Sequence, residues 1–168
     1  MKPFTIRIFL PHGNPSGIRI VDRLNWTGVA IAFPRELWDE AKSLPQIKDS
    51  GDAGVYVLSG YAEEHEDLPT LYIGESDGVS RRITQHINDP NKAFWTECVV
   101  FLSSNRGLNK AHVQWIEQEL IRKAGEINRC VLQNGNSPKP PSLTDADRAD
   151  CQSFLDEVLQ ILPLVGIR

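Results

Sequence analysis

Tyr56 and Tyr72 stand in two short triplets, Gly54-Val55-Tyr56 and Tyr72-Ile73-Gly74, and Arg82, His86 and Glu117 follow them along the chain. Two phenols, a guanidinium, an imidazole and a carboxylate supply a proton acceptor, an anion stabiliser and a metal ligand, the components that hydrolysis of a phosphate ester requires. Because a free phenol titrates near about pH 10, either tyrosine needs a nearby cation or metal-bound water to act as a base at neutral pH. Arg82 and a divalent ion would provide that field. Arg82 also offers a planar fork to phosphate oxygens, and His86 a donor or proton carrier.

Those side chains must be positioned by two strands and two helices. Gly54 to Leu58 and Leu71 to Gly74 read as half-buried strands whose side chains alternate between faces, so Tyr56 and Tyr72 share a face. Gly74, at a strand end and without a side chain, leaves room for a backbone or a substrate to approach. A helix is expected over Val79 to Asn88, with Arg82 and His86 one turn apart along the edge of its apolar stripe and Arg81 facing solvent. Another runs from about Leu108 to Ile127. On its wheel Val113, Ile116, Leu120, Ala124 and Ile127 form one arc, which also holds Glu117 but not Glu119. A carboxylate on an apolar arc must meet a cation, a donor or a wet cleft; a structural ion pair is the plain alternative to a metal ligand, as packing is for His86 and the tyrosines.

The remaining elements frame this centre. Thr5 to Leu10 and Ile18 to Val21 flank the turn-rich Pro11-His12-Gly13-Asn14-Pro15-Ser16-Gly17 and read as a hairpin, and Gly28 to Phe33 as a third strand. A helical segment opens at Pro34 with Leu37, Trp38, Ala41 and Leu44 in register. The acidic loop Tyr61 to Pro69 joins the triplet strands, and Trp95 to Leu102 is a further strand. A linker over Asn134 to Pro141 leads to a final amphipathic helix near Thr144, with a cap-like Thr144 and Asp147 and the stripe Phe154, Leu155, Val158, Leu159 and Leu162. The expected division is a strand-rich accessory layer over 1–50, a core over 51–135, and a linker with a C-terminal helix over 136–168.

Composition bounds the reading. With 168 residues and 40% apolar content, one substantial core is expected. Met1 to Leu10 is too short for a signal peptide and no stretch is long enough to span a bilayer, which points to a cytoplasmic protein with no membrane partner. Cys98, Cys130 and Cys151 suit neither a disulfide framework nor a zinc site. The net charge of -4 argues mildly against a protein that coats nucleic acid, but residues 51–70 alone carry five acids and no Lys or Arg. The stretch that holds the motifs is less acidic than the whole.

Taken in order, Gly54-Val55-Tyr56, Tyr72-Ile73-Gly74, Arg82, His86, Glu117 ahead of Leu120-Ile121, and Asn134 resemble the GIY-YIG nuclease superfamily over about residues 51–135. The resemblance implies an α/β (α+β) fold: a small central antiparallel sheet flanked by helices, here with an N-terminal hairpin and strand extension and a C-terminal helix. It implies metal-dependent endonuclease hydrolysis of DNA. Glu117 would bind a single Mg²⁺ or Mn²⁺, Arg82 would stabilise the phosphate, Tyr72 or Tyr56 would activate water, and His86 would assist proton transfer. Gly74, Arg81, Lys92 and Asn134 are assigned to substrate contact, with Asn128 as the alternative to Asn134. A homodimer is compatible with this reading. Two features depart from the family: the long acidic spacer between the triplets, and Glu75 where relatives often carry lysine. They motivate a second reading, a nuclease-like module that binds nucleic acid or a protein without cutting it.

Overall fold

The computed structural model describes residues 2–48, 53–104, 107–135 and 139–167. The boundary expected between residues 50 and 51, and residues 136–138 of the expected linker, lie outside them. The fold is mixed α/β, with one mostly antiparallel sheet of seven strands between two helical layers. The strands are β1 (Ile6–Phe9), β2 (Arg19–Arg23), β3 (Gly28–Pro34), β4 (Gly54–Gly60), β5 (Thr70–Ser76), β6 (Trp95–Ser103) and β7 (Val131–Leu132). Their order across the sheet is β1-β2-β3-β6-β4-β5-β7. The strands before residue 50 therefore continue the sheet that carries both triplets, joined through the register Gly28↔Ser103 to Pro34↔Glu97.

Central strands buried on both faces read as runs of Val, Ile and Phe rather than as alternating patterns. β3 is buried at every position and β6 at all but Thr96 and Glu97. The two faces are still distinct. Val55, Val57, Leu71 and Ile73 turn toward α4 (Lys110–Ile127) and α5 (Asp145–Ile161), whereas Tyr56, Leu58 and Val100 turn toward α1 (Trp38–Ala41), α2 (Pro45–Lys48) and α3 (Val79–Ile87).

Local chemistry sets the helix ends. The segment opening at Pro34 is broken into a single 3₁₀ turn (Arg35–Leu37), α1 and α2, since Pro45 carries no backbone N–H to continue the first helix. α4 begins at a reciprocal cap: Asn109 Oδ1 accepts from the His112 N–H at 2.9 Å and His112 Nδ1 accepts from the Asn109 N–H at 3.2 Å. It ends at Asn128, whose φ of 58° is the left-handed stop that asparagine tolerates. Ile127, placed on the apolar arc by the wheel, is 58% exposed in the last turn of α4. The cap expected at Thr144 is formed, its hydroxyl accepting from the Asp147 N–H at 3.1 Å. α5 then docks through Phe154, Leu155, Val158 and Ile161, all buried, each contributing roughly 1.5–3 kcal/mol of transfer free energy. Among the described residues no helix is long and apolar enough to cross a membrane.

Candidate active site

The antiparallel register of β4 and β5 sets Tyr56 opposite Gly74 and Leu58 opposite Tyr72, so the two tyrosines lie on one face as diagonal neighbours, ring centroids 6.4 Å apart. The tight packing explains Gly74. A Cβ there would stand 2.4 Å from both Cζ and Oη of Tyr56. What approaches the bare backbone at this position is thus the Tyr56 ring.

α3 brings His86 onto the same face. Its Nε2 lies 2.7 Å from Tyr56 Oη, its ring sits edge-on to Tyr72 with centroids 5.3 Å apart, and it is 6% exposed. Burial first, then the charges of Lys92 and Arg82, push the imidazole down to about 4, so it is neutral at physiological pH. Burial likewise raises the Tyr56 phenol far above its ordinary value. The buried contact is therefore a neutral phenol–imidazole pair. Arg82, one turn earlier on α3, is exposed, yet its charge acts on Tyr56, Tyr72, His86 and Glu117 alike. Lys92 closes the group from above, with Nζ 4.3 Å from the centre of the Tyr72 ring. The turn that carries it is gripped by Arg35, which stacks on Trp95 and donates to the carbonyls of Ile87 and Lys92, both at 2.9 Å.

The carboxylate belongs to α4, on the opposite face of the sheet. β7 pairs with β5 only at Thr70 and Leu71, and the Asn134 side chain extends that pairing by bonding the Ile73 N–H at 3.0 Å and its C=O at 2.7 Å. Beyond Ile73 the edge of β5 is unpaired among the described residues. Tyr72 lies on the α3 side and Glu117 on the α4 side, and after burial Glu117 is the strongest influence raising the Tyr72 phenol. Glu117 itself is half-buried and pushed up to about 7, by burial first and then by Glu75, against the pull of Lys110 and Arg82. Glu75 is clasped by Lys110 Nζ, 2.7 and 2.9 Å from its two oxygens.

Five expected catalytic side chains thus share one electrostatic neighbourhood, and Lys92 joins them. Arg81 does not; its guanidinium lies over Gly78 beside a surface depression lined by Thr84 and Asn88. Both ends of the Asn134 amide are engaged by Ile73, so it braces β5, while Asn128 is the exposed left-handed stop of α4. Sequence reasoning missed Lys110 and Arg35. Lys110 lay within reach, since seven residues before Glu117 is the same face of a helix; Arg35 carried no such signal.

Among the described residues no three His, Cys, Asp or Glu side chains group to hold a metal ion. The donor set nonetheless suits one hard cation. Glu117 accepts no hydrogen bond among the described residues, and Mg²⁺ commonly takes one or two carboxylates, keeping water and phosphate oxygens for the rest of its shell. Glu75 would join only by leaving Lys110. No protein family, curated protein or solved structure matches this chain.

Proposed function

We propose that this protein is a divalent-metal-dependent endonuclease of the GIY-YIG type that hydrolyses phosphodiester bonds in DNA. The observation that carries the reading is the cluster of Tyr56, Tyr72 and His86 on one face of the sheet, with Glu117 acting on both phenols and all four under the charge of Arg82. The ordered triplets resemble that superfamily independently of the geometry.

In this mechanism Arg82, exposed and adjacent to both phenols, receives the non-bridging oxygens and opposes the charge that builds on them. Lys92, beside Tyr72, adds a second cation along the strand. Tyr72 is the more accessible phenol and orients the attacking water, while Tyr56, 1% exposed and hydrogen-bonded to His86, holds the imidazole against the Tyr72 ring. Mg²⁺ or Mn²⁺ held on Glu117 would supply Lewis-acid polarisation of the phosphoryl group. Purified protein with either metal should nick plasmid DNA, and Glu117→Gln should stop it. Undiminished cleavage by that variant rejects the assignment.

Glu75 favours a second reading, a nuclease-like module that binds without cutting, because it raises the Glu117 carboxyl and is itself engaged by Lys110. Metal titration separates the two: a catalytic site takes up one divalent ion through Glu117, and a non-cutting module none.

A further inference from the structure

The end of α4 and the last turns of the chain leave an apolar seam unsealed. Ala124 and Ile127 on α4, Leu159 on α5 and Ile167 beyond it surround a cavity of about 200 Å³ that reaches Leu71 and Ile73 of β5. Ile127 is 58% exposed, and Ala124, Leu159 and Ile167 are only partly covered. The wall is almost wholly hydrocarbon, so water inside it finds too few hydrogen-bond partners. A dry cavity costs stability because its lining forgoes the contacts that close packing supplies, and a ligand that fits it recovers them.

The charges at this cavity say what would occupy it. Lys123, half-buried, and Arg129, exposed, both line it; among the described residues no Asp or Glu does, and neither cation has an acidic partner. Long basic side chains lay their stems along apolar surface and keep their heads in water, so a hydrocarbon wall and a cationic rim go together. Such a wall rejects a charged or strongly hydrogen-bonding group, whereas the rim attracts an anion. A cavity of about 150 Å³ admits benzene, which sets the tail that fits this one at roughly six to eight carbons. We propose that the cavity binds an amphiphilic anion, a monocarboxylate whose aliphatic tail lies against Leu71 and Ile73 and whose head stays at the rim with Lys123 and Arg129. Leu71 and Ile73 flank Tyr72 in β5, and Leu120, also on the wall, follows Glu117 by three residues. An occupant therefore packs against both elements that carry these candidate catalytic side chains. Its meaning for cleavage rests on the nuclease reading; the binding itself does not.

The test is calorimetric titration of the full chain with butanoate, hexanoate, octanoate and decanoate, without DNA or metal. Affinity should rise roughly four-fold per methylene until the cavity is full, then level off before decanoate as further carbons stay in water. Octanol should bind more weakly than octanoate, and octylammonium more weakly still. Lys123→Gln with Arg129→Gln should bring octanoate down to the level of octanol, a loss of roughly five-fold. Ala124→Leu, which fills the cavity from α4, should abolish binding of the whole series, and Leu159→Phe does the same from α5 if the first variant folds poorly. Affinity that climbs without limit along the series, equal binding of octanoate and octylammonium, binding that survives both filling variants, or no binding at all overturns the proposal. Cleavage of DNA by a protein that binds no carboxylate removes the pocket and leaves the nuclease; octanoate binding by a protein inert toward every DNA substrate removes the nuclease and leaves the pocket.

Discussion

The Tyr56 hydroxyl lies 2.7 Å from His86 Nε2 inside the protein, joining β4 to α3 by one buried hydrogen bond. Neither group has water to fall back on, so deleting one strands the other. Tyr56→Phe should therefore cost about 1–3 kcal/mol, lowering the melting temperature by roughly 2–4 °C per kcal/mol in a chain of this size. His86→Phe with Tyr56→Phe should lose less than the two single changes added together. Thermal denaturation of the four proteins measures this, and strict additivity would show that the bond is not made.

Two glycines should respond in opposite directions. Gly74→Ala drives a methyl into the Tyr56 phenol, which His86 holds in place, and the overpacking should cost about 1–3 kcal/mol. Gly125, in α4, has nothing within 4 Å of a built Cβ, and Gly125→Ala should stabilise by roughly 0.5–1 kcal/mol through helix propensity alone. Denaturant melts of both decide it; a harmless Gly74→Ala would mean that the Tyr56 ring yields.

These contrasts show what was legible in the chain. The period-two pattern around Tyr56 and Tyr72, and the helical spacing of Arg82 with His86, are local, and both survive in the fold. The influence of Glu117 on Tyr72 is not local: it joins two faces of the sheet at β5, whose outer partner β7 is a two-residue parallel strand too short to leave a pattern. The bonds of Asn134 to the Ile73 backbone were not legible for the same reason, since they depend on where residue 134 returns in space. Arg35 reaches the site only because β3 and β6 are neighbours across 60 residues of chain.

Opposed titrations at His86 and Glu117 should give a distinctive pH profile. Below its ordinary 6.5 the unfolded chain protonates His86, whereas the folded chain resists until about 4, so this contribution is complete above 6.5 and is lost as pH falls through that window. Glu117 runs the other way: the folded chain keeps its proton from 4.5 up to about 7, so its contribution is complete below 4.5 and is lost as pH rises. Each is on the order of 3 kcal/mol at most, and they oppose one another over most of the same range. Glu117→Gln removes only the second. Without metal, its melting temperature relative to the natural protein should be level near the lower end of that range and rise steadily toward its upper end. A constant difference would mean that Glu117 titrates as an ordinary surface carboxylate.

Lys110 and Glu75 tune the carboxylate on which catalysis would depend. Glu75 raises the Glu117 carboxyl and Lys110 lowers it, and the two are bound to each other at 2.7 Å, so each change exposes the other's influence. Lys110→Met leaves Glu75 unneutralised and should hold Glu117 protonated to higher pH. Glu75→Gln removes a neighbouring negative charge and frees the Lys110 ammonium, so Glu117 should ionise at lower pH. If Glu117 must be ionised for cleavage, the rising limb of the pH–rate profile should move up for Lys110→Met and down for Glu75→Gln. Both displacements should shrink in high salt, since Lys110 is partly exposed and its field is screened over about a Debye length. The same order should appear in the pH at which Mn²⁺ is taken up, read by calorimetry without any substrate. Movement of both limbs in one direction, or none, would separate Glu117 from the chemistry and make the Glu75–Lys110 pair a fastening between β5 and α4.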